Sequence, residues 1–391
     1  MNPKSFARAL WVTAAVLTAA GAGCASRQPA TESLVSASEG SVVFGTFVSQ
    51  GEAKLTPRTP LTDLHAVGDG LYAYTQNNIV YSLSPGLELR FLKQVVPPDE
   101  GLRPPVQVGE ETIFPSTKGM FVLGKTGEPI RTIKLTNPLS SDVHVDQRGM
   151  LLAGVAGNTG GRVAVIDPQK STRASVQETL IGNVRSAPVA LQGIVFAATD
   201  TGRVYAVGLE NRTAWSLDDM SFATGRPIEA DLVIDDYALY VASTDLKLYA
   251  LDRSTGKIKW RYAAEVPLTD TPLVTKDRVY QVVPGKGLAS IDKIDGKLYR
   301  EPLWVTPNVT RVVSADDKYV YGVEGNDRLV AIGITDGVVR FSAQGAFDFV
   351  TASGDSIFAA SKDGRVVKLK RGPYTGDAVA GVDESVKSVS R

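Results

Sequence analysis

Residues Tyr237 to Tyr262 read YALYVASTDLKLYALDRSTGKIKWRY, and this stretch decides the fold. Two runs rich in β-branched and aromatic residues, YALYVAS and LKLYALD, are separated by turn formers, the pattern of two short antiparallel strands. The following segment, Asp252 to Gly256, opens with a carboxylate that can accept hydrogen bonds from its own backbone. It ends in glycine, which takes a positive φ without steric cost. KIKWRY then returns as a third strand carrying Trp260. One hairpin set of this size cannot bury both faces of its sheet, so it requires neighbours built like itself.

The chain supplies them. The end of the LYALD strand, Asp252, serves as an anchor, and the same small-apolar pattern ends at Ser84, Gly124, Asp167, Gly208, Asp292, Gly333 and Lys370. Eight anchors spaced 37 to 44 residues apart mark repeated supersecondary units. Strand patterns without helical ones make the units blades. The expected fold is therefore all-β, an eight-bladed β-propeller of four-stranded antiparallel blades. The first blade runs over Thr62–Lys93, the third from Ser141 to about Leu180, and the sixth ends in the outer strand KLYREPLW. The last blade, FDFVTAS, SIFAAS and VVKLK, lacks an outer strand, while SVVFGTFVSQ (Ser41–Gln50) is a strand without a blade. That N-terminal strand is expected to complete the last blade and close the ring, which removes exposed edges.

Composition agrees. Lys+Arg and Asp+Glu both number 42, so net charge asks for neither nucleic acid nor a membrane surface. The single cysteine, Cys24, excludes an internal disulfide. It follows a basic start, MNPKSFAR, and an uncharged run ending in small residues, which resembles a bacterial lipoprotein signal with Cys24 lipidated. Gly21 stands where that signal usually has leucine. Cleavage after Ala22 without lipid and retention as a short membrane anchor are the competing outcomes. Ala25 after the cysteine points, by resemblance to enterobacterial sorting, to the outer membrane, facing the periplasm. The expected organisation is a signal over 1–23, a flexible tether over 24–40, the propeller over 41–371 and a disordered tail over 372–391.

Trp215, Trp260 and Phe341 stand seven, eight and eight residues after their anchors. Burial between blades explains such a stripe better than cofactor stacking does. LYALDRSTGKIKW resembles the repeat of the pyrroloquinoline-quinone type, a small residue and Asp, then Thr-Gly and a tryptophan. LASIDKIDGKLY and LVAIGITDGVVRF are weaker copies. That family has two relevant branches. One is the quinoprotein dehydrogenases, eight-bladed enzymes holding a quinone and calcium over the channel. The other is the BamB-type lipoproteins of the β-barrel assembly machine, which act by docking partners.

The dehydrogenases typically clamp the quinone with a vicinal cysteine pair, and this chain has no second cysteine. It carries no calcium-loop or His/Cys metal spacing, so neither cofactor nor metal is expected. His65 and His144 lie in the first strands of their blades, where they line the channel as structural histidines. No nucleophile motif or phosphate loop appears in usable context, and no carboxylate pair singles itself out, so no catalytic residue is assigned. One charge pattern remains. Five residues before the anchor stands a basic side chain in five blades: Arg162, Arg203, Lys247, Arg328 and Arg365. The turns on the opposite rim carry Asp69, Glu110, Glu111, Asp146, Asp235, Asp236, Asp277, Asp316, Asp317 and Asp355. Unlike rims would orient a docking protein, although charged hairpin ends are common. The resemblance implies a non-enzymatic envelope scaffold whose partners are proteins, the β-barrel assembly machine among them, with membrane attachment through lipid. The rival class is a small-molecule or glycan binder, or a degenerate quinoprotein, using the channel mouth.

Overall fold

A computed structural model of the chain describes residues 45–372 apart from 158–159, 171–174, 209–214, 216–220, 326 and 346. The signal segment, Cys24, the tether, residues 41–44 and the tail from 373 onward lie outside the described residues.

Among the described residues there are strands and turns and no helix. Four antiparallel strands recur in order along the chain, as in Leu61–Val67, Gly70–Thr75, Ile79–Leu83 and Leu89–Gln94 of the first sheet. The second, third and fourth sheets follow the same order over 106–134, 139–180 and 189–223. The fifth spans 233–263 and the sixth 273–306. The architecture is propeller-like.

The remaining strands form one eight-stranded sheet of two quartets. The penultimate quartet is Val309–Ala315, Tyr319–Glu324, Arg328–Gly333 and Val339–Gln344. The last is Phe349–Ser353, Ser356–Ala360 and Arg365–Arg371, with Gly45–Lys54 as its fourth strand. Gly45–Lys54 runs antiparallel to Arg365–Arg371, from Phe47 opposite Arg371 to Lys54 opposite Arg365. A short parallel bridge, Gly45 to Phe341 and Thr46 to Ser342, fuses the quartets, so hydrogen bonding defines seven sheets where the repeat predicts eight. The predicted strand at Ser41–Gln50 is observed over Gly45–Lys54 and extends four residues further on.

Burial explains why the repeats fold only together. The second strand of the fifth sheet, Leu239–Ser243, is buried throughout, and so are Gly70–Thr75 and Leu151–Val155. A strand buried on both faces must be covered by neighbouring sheets. The cores do lie between sheets: Tyr240 and Trp260 of the fifth pack with Val279 and Ile291 of the sixth. Leu64 and Leu71 of the first sheet pack with Phe358 and Ala360 of the last quartet. Ala66 N also donates to Thr351 Oγ1 at 3.3 Å across that contact.

The anchor turn behaves as its residues dictate. Asp252 Oδ1 accepts from Ser254 N at 3.1 Å, Thr255 N at 3.0 Å and Thr255 Oγ1 at 2.8 Å, and Gly256 closes the turn at φ +70°. Asp167 does the same for Gln169 N at 3.0 Å although its segment, DPQKST, departs from the motif. The sixth repeat differs from expectation. KLYREPLW splits, so that Pro302–Thr306 is the outer strand of the sixth sheet while Tyr299–Arg300 pairs in parallel with Arg261–Tyr262 of the fifth. The insertion shields an edge of the neighbouring sheet.

Candidate functional site

The five basic residues occupy equivalent places. Each is the first or second residue of its sheet's third strand, beside the turn from the second. Acids of the same chain lie beside several of them, Lys247 with Asp245 at 3.5 Å, Arg328 with Glu324 at 2.7 Å and Arg365 with Glu52 at 3.0 Å. Arg203 donates to Ser221 Oγ at 2.9 Å. Arg162 shares the strand position, facing Val155 and Thr179 in the ladder. Such pairing shortens the reach of the positive field.

The acidic turns have a local cause. Asp235 Oδ1 accepts from Tyr237 N and Ala238 N at 2.8 and 2.9 Å, and Asp316 Oδ1 accepts from Lys318 N and Tyr319 N, both at 2.8 Å. Asp146 accepts from Arg148 N at 2.9 Å and Met150 N at 2.8 Å. These carboxylates shape tight turns, which is why they recur. Several also meet a cation: Asp69 with Arg90 at 3.1 Å, Glu111 with Arg131 at 2.6 Å and Asp235 with Lys293 at 2.8 Å. The Arg131 hydrogen bond holds Glu111 below the usual carboxylate range against the opposing effect of burial.

The first strands of the second to fifth sheets line a cavity of about 670 Å³. Its polar groups include Asp142, His144, Asp231 and Thr271. Arg103 Nη1 donates to Asp142 Oδ1 at 2.9 Å, Ala187 N to Asp231 Oδ1 at 2.7 Å, and Asp231 N to Thr271 Oγ1 at 3.0 Å. The contacts stitch one sheet to the next along the cavity wall. Burial pushes the Asp231 carboxyl up; the Ala187 N–H opposes this and the Asp142 charge adds to it. Burial lowers the His144 imidazole, with Asp146 opposing, so the ring is neutral at pH 7. His65 sits elsewhere, its Nε2 3.1 Å from Asp63 Oδ2. Burial raises Asp63, but His65, the Leu64 N–H and Arg311 outweigh it and leave the carboxyl low. The two histidines therefore face different acids and do not form a pair. No group of three or more His, Cys, Asp or Glu among the described residues is arranged to hold a metal.

The aromatic stripe docks between sheets as its spacing predicts. Trp215 Nε1 donates to Arg253 O at 2.8 Å and Trp260 Nε1 to Lys293 O at 3.0 Å, each carbonyl one residue past the next anchor. Sequence reading missed Trp304, which donates to Ile334 O at 2.9 Å. The 294–301 insertion displaces it to twelve residues after Asp292, which hides it from a spacing rule. Arg131 was missed too, and its Nε makes the same contact with Pro168 O at 3.0 Å.

Comparison with known proteins places this geometry. Residues 202–310 match a family model described as outer membrane protein assembly factor BamB. The structure of BamB from Moraxella catarrhalis is similar at TM-score 0.60 with 16% identity, covering 83% of this chain and 98% of that one. The computationally designed Ika8 protein is similar at TM-score 0.62 with 11% identity, covering 81% and 97%. The C-terminal WD40 domain of Sif2 is similar at TM-score 0.62 with 10% identity, covering 84% and 99%. No curated protein matches the chain. Residues 202–310 thus carry the quinoprotein-type repeat of the BamB family model, set in a propeller-like all-β fold.

Proposed function

We propose that this chain is a non-catalytic lipoprotein of the cell envelope that acts as a protein–protein interaction scaffold in outer-membrane protein assembly. The observation that carries the reading is the match of residues 202–310 to the assembly-factor model. In this reading the eight repeats are eight blades, and Gly45–Lys54 closes the ring as the outer strand of the last. Cys24 carries the lipid, and 24–40 tethers the propeller on the periplasmic side of the outer membrane. No cofactor or metal takes part. The rim with Arg162, Arg203, Lys247, Arg328 and Arg365 orients the partner, its charges tempered by Asp245, Glu324 and Glu52.

Affinity capture from crosslinked envelopes tests this. Components of the β-barrel assembly machine are expected with the wild-type chain, and several-fold less with Arg203, Lys247 and Arg328 all changed to Glu. Capture without those components would reject the assembly role, and capture unaffected by charge reversal would reject the rim. The 670 Å³ cavity favours one second reading, a small-molecule or glycan binder or a degenerate quinoprotein. Pyrroloquinoline quinone should then raise the melting temperature, and a null shift counts against a quinone there.

A further inference from the structure

Two outer strands carry a short parallel partner supplied by the chain itself. In the fifth sheet Arg261 and Tyr262 pair with Tyr299 and Arg300, and Arg261 N donates to Leu298 O at 2.9 Å. In the penultimate quartet Phe341 and Ser342 pair with Gly45 and Thr46. Residues of an antiparallel strand alternate between exchanging both backbone bonds with the neighbour and turning both groups away from it. Arg261 is opposite Tyr249, and Ser342 is opposite Val330. Each of those opposing residues stands three before its anchor. The Arg261 bond shows that N–H and C=O at this place turn outward, past the end of the sheet.

The outer strand of the sixth sheet, Pro302–Thr306, repeats this place. Val305 is opposite Ala289, which again stands three residues before the anchor, Asp292. Among the described residues the sixth sheet ends at this strand. Leu303 is 50% exposed and Val305 42%, while Trp304 between them turns inward to Ile334 O. Twelve large apolar side chains are exposed among the described residues, and five of them lie within 294–305: Ile294, Leu298, Tyr299, Leu303 and Val305. Edge strands are commonly guarded by charged side chains, and Pro302–Thr306 carries none. Outward backbone groups and exposed apolar side chains therefore coincide on one edge.

We propose that the outer edge of Pro302–Thr306 takes an extended segment of a partner polypeptide, paired in parallel. Val305 N–H and C=O bond the partner's backbone, and Leu303 and Val305 cover its alternate apolar side chains. The segments that the chain lays on Arg261 and Ser342 set both the direction and the class of ligand, since each is a short parallel stretch of polypeptide. A second copy of the chain fits less well. Two copies related by a twofold axis bring the same edge together antiparallel. The inference deepens the scaffold reading, on which it rests for a protein partner, by naming the docking edge. A peptide reads that edge with no envelope component present, so either idea can fail alone.

The probe is acetyl-Gly-Lys-Leu-Tyr-Arg-Glu-amide, a copy of residues 296–301, whose original already pairs with the equivalent edge of the fifth sheet. Titration of the full chain, followed by NMR, should show saturable binding. Methylating the backbone nitrogen of the peptide's arginine removes one donor and keeps every side chain, and should weaken binding by about ten-fold or more. Val305→Pro removes only an outward N–H, a change that edge strands tolerate. It should weaken binding by about as much, with little change in melting temperature. Leu303→Lys combined with Val305→Lys keeps the backbone donor, removes the apolar cover and should also weaken binding. Leu92→Pro makes the same change on the outer strand of the first sheet, where Leu92 is opposite Tyr81, and should leave binding unaltered. Absent binding, equal affinity for the methylated peptide, or binding that survives both changes at Val305 would overturn the proposal. So would loss in Leu92→Pro instead, or self-association of the chain that Val305→Pro abolishes. Binding that emerges only after residues 373–391 are removed would assign the edge to the chain's own C-terminal segment and overturn it as well.

Discussion

At the scale of single residues, Trp260 and His144 show what burial does to two kinds of ring. Trp260 is fully buried, stacks at a tilt on Tyr240 and bonds the next sheet through its N–H. Its replacement by alanine removes contact with two sheets at once, and is expected to cost about 3–5 kcal/mol, read from the urea midpoint. His144 loses hydration in the cavity wall, which depresses its imidazole in the folded state. The unfolded chain then takes up the proton first as pH falls through the ordinary histidine range near ~6.5, so stability declines on that side. His144→Gln should flatten the fall in urea midpoint between about pH 7.5 and 5.5, and an unaltered slope would discard the burial argument. Asp231 and Asp270, raised by burial, act in the opposite sense and at lower pH.

At the scale of elements, the strand Gly45–Lys54 is the most consequential. It completes the last quartet, bridges to the penultimate one, and supplies Phe47 to the core between them. Lys54 and Glu52 add ion pairs to Asp363 and Arg365. Removing residues 45–54 would bare the edge of Arg365–Arg371 and the rings of Phe341 and Tyr321. The expected outcome is a fall of many degrees in melting temperature with a rise in aggregation, and an unchanged melting curve would show that the strand is dispensable. The need for this strand was legible in the sequence, because the last repeat visibly lacks a fourth run. Its parallel bridge to Phe341 and Ser342 was not legible, since it depends on where two quartets meet. Tyr299–Arg300 was hidden for a similar reason. Its residues read as a continuation toward Trp304, and only the geometry of the fifth sheet's edge draws them away.

At the scale of the whole molecule, zero net charge conceals a patterned surface whose acids and bases serve the chain first. Turn-forming aspartates recur between first and second strands because tight turns select them. The basic positions begin third strands, and several are matched by acids of their own chain. A partner that docks by charge therefore competes with these internal pairs, which makes the response to charge reversal graded. The stacking of cores between sheets, including the contact of the first sheet with the last quartet, ties the stability of each repeat to both neighbours.

By itself the sequence determined the strand pattern, the repeat spacing and the anchor turns, because these obey local rules: alternation, an aspartate that caps its own turn, a glycine at positive φ. It also marked the aromatic docks wherever spacing was regular. Only the tertiary structure decided which of these cations meet acids of their own chain and which indole an insertion had displaced. Those features depend on residues far apart in the chain meeting across sheet faces, and no local rule encodes that distance.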